Sequence, residues 1–188
     1  MTGLSPQMLG SRPTRSRRRD DFHETPRVAV EALLSVETFT GPIWEPACGR
    51  GAISEVLIEQ GHDVISTDLV DRGYGTGRTD FLLEWQPRAP NVVTNPPFKL
   101  ALAFAQNALR LTTGKVALLV RWSWHAGQKR RLFFENNPPA RTWLFSKRLP
   151  LMHRHDWTGP RASSAIDHCW VVWERGHNGP GTTIGWLP

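Results

Sequence analysis

Ile43-Trp44-Glu45-Pro46-Ala47-Cys48-Gly49-Arg50-Gly51 is the stretch that decides the fold. It reads as a strand running into a glycine turn, and a helix pattern follows over 52–60 with Gly61 as its stop. Glycine lets a backbone turn sharply and approach a ligand closely, and open α/β sheets bind their ligands at the carboxyl ends of strands. A second strand signal over 63–67 ends at Asp68. That is about the separation at which a ribose-binding carboxylate follows a glycine loop in nucleotide-binding folds.

Outward from this unit the pattern keeps alternating. Helical spacing of apolar residues marks 26–36, 100–111 and 128–135, and strand signals mark 42–45, a short piece near 79, 91–94, 116–121, 141–145 and 168–174. Alternating helices and strands predict an α/β domain with a mostly parallel sheet covered on both faces. We divide the chain into a basic, flexible segment over 1–20, one domain over 21–176 and a Gly-Pro-rich tail over 177–188. No internal repeat is visible.

Two further motifs carry chemistry. Thr79-Asp80-Phe81-Leu82-Leu83 sets a carboxylate beside an aromatic, which suits an adenine ring, with Asp80 accepting from its amino group and Phe81 packing on its face. Asn95-Pro96-Pro97-Phe98 follows the apolar run Val92-Val93-Thr94. Two prolines cannot extend a sheet ladder, so they predict a stiff loop past a strand end. Such a loop aims the Asn95 oxygen and the Pro96 carbonyl at the two hydrogens of an amine, and Phe98 covers the ring that bears it.

Composition bounds the rest. At 188 residues the chain supports one domain that buries about two-thirds of its unfolded surface. No apolar run is long enough to span a bilayer, and the arginine-rich start lacks the apolar core of a secretory signal. Two cysteines, neither in a C-x-x-C pair, predict no disulfide framework and no metal site, and fit a reducing cytoplasm. The formal net charge is +6, gathered at Arg12 to Arg19, at Lys129, Arg130 and Arg131, and in a late loop carrying Lys147, Arg148, His153, Arg154, His155 and Arg161. Clusters of this kind suit a phosphate backbone. The late loop interleaves its charge with Leu149, Leu151, Met152 and Trp157, and we assign Lys147, Arg148, His153, Arg154 and Arg161 to nucleic-acid contacts.

In their order and spacing, Glu45 to Gly51, Asp68, Asp80-Phe81 and Asn95 to Phe98 resemble the S-adenosylmethionine-dependent DNA adenine-N6 methyltransferases, in particular small phage-type members. The resemblance covers residues 22–176. It implies the Rossmann-like class I methyltransferase fold, with seven strands of which the last is antiparallel and inserted. Glu24-Thr25-Pro26 resembles the segment that precedes the glycine motif and touches the methionine end of the cofactor, and 163–173 resembles the closing strand. The implied S-adenosylmethionine contacts are Thr25, Pro26, Glu45, Ala47, Gly49, Gly51, Asp68, Asp80 and Phe81, and the implied catalytic group is Asn95, Pro96, Pro97 and Phe98. The Asn of the motif, in place of the Ser typical of cytosine-N4 enzymes, favours adenine. DNA stands ahead of RNA as the expected acceptor. Two alternatives stay open: the same fold acting on RNA or on a protein glutamine, and an inactive subunit that binds nucleic acid. One departure stands out, since the chain leaves too little length after 174 for a separate target-recognition domain. Recognition then falls to the late loop, to the basic start, or to a partner such as a separate recognition subunit or a second copy in a homodimer.

Overall fold

A computed structural model describes residues 24–150, 166–179 and 181–188. Seven strands form one sheet in the order β2-β1-β3-β4-β6-β5-β7. They are β1 (Ile43–Glu45), β2 (Val64–Ser66), β3 (Asn91–Thr94), β4 (Lys115–Arg121), β5 (Arg141–Phe145), β6 (His168–Glu174) and β7 (Thr183–Leu187). Helices α1 (Arg27–Leu34), α2 (Ser54–Glu59), α3 (Ala101–Leu111) and α4 (Gln128–Asn136) complete the α/β chain.

Strand β4 shows how the sheet is covered. Ala117 and Leu119 join an apolar cluster with Ala29, Val30, Leu33, Val56 and Leu57 of α1 and α2. Val116, Leu118 and Val120 point the other way, into a cluster with Phe104, Ala105 and Ala108 of α3 and Phe133 of α4. Alternation along one strand thus serves two cores, because successive side chains leave a strand on opposite faces. All five residues are at most 1% exposed.

The expected antiparallel strand is His168–Glu174, which lies between β4 and β5 and runs antiparallel to both. The other neighbours pair in parallel. Two expectations need correction. The short strand near 79 is absent. Its place is taken by a single bridge between Thr67 and Thr76, and Arg78 adopts a left-handed φ of 57° that breaks the extended run. Asp80 then accepts the Leu82 N–H at 2.9 Å, which turns Phe81–Leu83 into a 3₁₀ turn. The tail over 177–188 also proves structured, since Thr183–Leu187 pairs with β5 along its whole length. A Cβ on Gly185 would lie 2.1 Å from the Trp143 ring, so the glycine that disguised the strand is what lets it pack there. The basic segment over 1–20 lies outside the described residues.

Candidate active site

The strand order reverses between β1, whose chain continues to β2 on one side, and β3 on the other. In open α/β sheets the crevice opens at that switch, beyond the carboxyl ends of the strands. Both motif loops leave from there. Ile43 and Trp44 pair in register with Asn91 and Val92, so the turn after Glu45 and the loop after Thr94 emerge side by side.

The turn is fixed from several directions. Gly49 and Gly51 have φ of 59° and 93°, values that favour glycine. The Gly51 N–H donates to the Cys48 carbonyl at 2.8 Å, and the Cys48 N–H donates to the Thr67 carbonyl at 3.0 Å. Asp68 accepts the Gly49 N–H at 2.8 Å on one oxygen and the Val70 N–H at 2.8 Å on the other. The structure therefore joins Gly49 and Asp68, and each carboxylate oxygen keeps a lone pair for a further donor.

Glu45 lies beneath the turn and is 1% exposed. Its carboxylate accepts from the Ser54 hydroxyl, which in turn lies 2.6 Å from the Ser66 hydroxyl. Burial pushes the Glu45 carboxyl up to about 8, against hydrogen bonding from Ser54 and with a further push from the charge of Asp68. At neutral pH it is therefore largely protonated. Tyr74, the chain's single tyrosine, packs over the turn so closely that a Cβ on Gly51 would stand 2.5 Å from its ring. Sequence reading missed Tyr74. Its signal was its placement among Gly73, Gly75 and Gly77, where an isolated aromatic has no periodic reason to be.

Asn95 donates from Nδ2 to the Thr25 hydroxyl at 3.1 Å. This contact spans 70 positions of sequence and joins the segment before α1 to the Asn-Pro-Pro-Phe loop. Thr25 is 7% exposed and makes no side-chain cap on α1, whose N-cap is Pro26. Pro96 is buried, and Asn95, Pro97 and Phe98 are half-buried. The Pro97 carbonyl accepts the Leu100 N–H at 2.8 Å and so begins the turn into α3. Phe98 lies under Arg121, whose guanidinium carbon is 4.2 Å from the ring centroid, and beside the His168 ring at 6.3 Å.

The other expected residues are placed as follows. Phe81 is 2% exposed, edge-on to Trp44 at 5.0 Å and tilted against Phe104 at 4.9 Å, so its ring is engaged in the core. Asp80 is half-buried and caps the 3₁₀ turn, and Ala47 packs against the same core. Lys147 and Arg148 are exposed just past β5, which parallels β4, and so lie on the crevice side of the sheet. Arg148 pairs with Asp167 at 3.1 Å. His153, Arg154 and Arg161 lie outside the described residues. Trp122 is 39% exposed at the end of β4, whereas Trp124 is buried. Among the described residues no helix is long and apolar enough to cross a membrane.

Solved structures share this fold. The M protein of the type I restriction enzyme EcoKI is 15% identical with a TM-score of 0.56, over 85% of this chain and 45% of that one. A dimethyladenosine transferase from Plasmodium falciparum is 12% identical with a TM-score of 0.53, over 81% and 62%. Magnesium protoporphyrin IX methyltransferase from Synechocystis PCC 6803, solved with bound S-adenosylmethionine, is 16% identical with a TM-score of 0.51, over 79% and 76%. The chain thus spans under half the length of the restriction-enzyme subunit. At these identities the likeness establishes a class I methyltransferase, Rossmann-like architecture. No protein-family model and no curated protein matches the sequence.

Proposed function

We propose that this chain transfers a methyl group from S-adenosylmethionine to the exocyclic N6 amine of adenine in DNA. The observation that carries the reading is the juxtaposition of two loops: Asn95-Pro96-Pro97-Phe98 leaves β3 next to the glycine turn that leaves β1, and Asn95 is bonded to Thr25. The fold alone would not choose an acceptor, since it serves many reactions and its neighbours here include a porphyrin enzyme. The choice of adenine rests on the Asn of the motif, and the choice of DNA on the resemblance and the basic residues.

The residues present fit the cofactor. Asp68 has lone pairs left for ribose hydroxyls, the left-handed glycines bring backbone close to the crevice, and Thr25 and Asp80 offer further polar contacts. S-adenosylmethionine, when bound, supplies a methyl group activated by its sulfonium. Glu45 then acts from beneath, holding Ser54 and the first turn of α2 in place as a neutral acid.

Asn95 and the Pro96 carbonyl do the work on the acceptor. The lone pair of adenine's amine is shared with the ring, so the nitrogen is a poor nucleophile until its geometry becomes pyramidal. Acceptors on both N–H bonds favour that change, and they strengthen as positive charge develops on nitrogen. The two prolines keep these acceptors fixed, so alignment costs little at the moment of reaction. Phe98 supplies the aromatic ring against which the extruded base packs, and the Arg121 guanidinium is stacked on that same ring. No covalent intermediate is needed.

The test is direct. Protein incubated with labelled S-adenosylmethionine and separate DNA, RNA and protein acceptors should label DNA, and nucleoside digestion should place the label on N6-methyl-2′-deoxyadenosine. Asn95→Ala should lower transfer by about a hundredfold or more while leaving cofactor binding nearly intact. Label in RNA or in protein glutamine would move the reading to that acceptor. No transfer, and no cofactor-induced rise in melting temperature, would reduce the chain to a binding subunit.

A further inference from the structure

Arg121 closes β4 and pairs in register with His168, the first residue of β6. It is half-buried, and its Nε is shut off from solvent without a hydrogen-bond acceptor. Several other arginines have carboxylate partners: Arg141 has Glu37 and Glu174, Arg27 has Glu31 and Glu59, and Arg148 has Asp167. Arg121 enters no ion pair among the described residues, and what it touches is the face of Phe98. A cation drawn partly out of water without a counter-charge is unfavourable. A guanidinium stacked by its face keeps its in-plane N–H donors, which match the oxygens of an oxyanion.

Two anions belong to the reaction proposed above, the carboxylate at the methionine end of the cofactor and the phosphates of the acceptor strand. Strand order separates them. The glycine turn leaves β1, the Asn95 loop leaves β3, and Arg121 stands at the end of β4, across that loop from the turn. The next residue, Trp122, is 39% exposed, with its ring against that of His125. We propose that Arg121 is a phosphate-binding residue of the crevice, gripping the phosphodiester beside the adenosine whose base Asn95 holds, a reading that rests on a nucleic-acid acceptor.

The probe is a fluorescein-labelled oligothymidylate carrying a single adenosine, prepared with native phosphates or with one neutral methylphosphonate on either side of that adenosine. Fluorescence anisotropy with the wild-type protein should show about tenfold weaker binding for one of the two substituted strands. Arg121→Gln should bind the native strand about tenfold more weakly and no longer distinguish it from the substituted one. Equal wild-type affinity for all three strands overturns the proposal, and so does a methylphosphonate penalty that persists undiminished in Arg121→Gln. If that variant loses S-adenosylmethionine affinity by calorimetry while binding DNA normally, Arg121 serves the cofactor carboxylate and the proposal falls. The wild-type arm needs no variant to fold. Because it reads binding without turnover, a phosphate effect on a strand that is never methylated keeps the site and rejects the reaction, and methylation without a phosphate effect does the reverse.

Discussion

Each end of the sheet buries one glutamate, and the surroundings treat the two in opposite ways. At the amino end of the parallel strands, Glu37 accepts from Lys115 at 2.8 Å, from Trp143 at 2.9 Å and from the guanidinium of Arg141. Burial pushes its carboxyl up, but the hydrogen bonds from Arg141, Lys115 and Trp143 outweigh it and hold the group below the ordinary range. At the crevice end, Glu45 is also hidden from solvent but has hydroxyls for company and no cation bonded to it among the described residues, and it rises to about 8. One carboxylate staples α1's exit to the starts of β4 and β5. The other gives up its charge at neutral pH to sit beneath a loop that must remain shaped for a ligand.

The sharpest way to break the contrast is Glu37→Ala. It leaves Lys115 and Arg141 with Glu174 as their remaining carboxylate, and removing one member of a buried ion cluster costs about 3–5 kcal/mol. Chemical denaturation at pH 7 should show a loss of that size. The wild-type contribution is present above the ordinary glutamate range and is lost as pH falls through the depressed folded value, so the gap between variant and wild type should close in acid.

Glu45→Gln tests the other end. Between the ordinary glutamate value and about 8, the folded chain holds a proton that the unfolded chain has released, so wild-type stability falls as pH rises through that window. Glutamine keeps an acceptor for Ser54 and cannot ionise. The variant should therefore gain on wild type by up to roughly 3 kcal/mol between pH 5 and pH 8. Parallel pH profiles for the two proteins would show that Glu45 ionises normally.

The smallest effect should appear in turnover. Thr25→Val removes the acceptor for Asn95 at nearly constant volume, and one such hydrogen bond is worth about 1 kcal/mol. We expect roughly a fivefold fall in kcat, little change in melting temperature, and recovery in Thr25→Ser. A rise in the KM for S-adenosylmethionine with kcat unchanged would make Thr25 a cofactor contact instead.

Much of this was legible before the fold was known, for reasons that lie close together in sequence. Val116 to Val120 and Cys169 to Trp173 are runs that only a sheet covered on both faces can bury, and the glycines after Glu45 require a turn whatever surrounds them. What escaped depends on distant partners. Phe81 pointed to a ring platform, yet Trp44 and Phe104 close over it. Thr183–Leu187 looked like tail because Gly185 weakens it as an isolated strand, and only the Trp143 ring explains that glycine. Tyr74 carried only its isolation among glycines as a signal, and Arg121 carried none.

The reversed direction of β6 has a further consequence. β5 ends, and β6 begins, on the same rim from which the motif loops emerge. The polypeptide between Phe145 and His168 is thus moored at both ends to the mouth of the cleft, like a bridle whose two straps share one bit. Leu149 buckles the first strap into the core shared with α1 and α2, so that end of the link is held by packing as well as by the sheet.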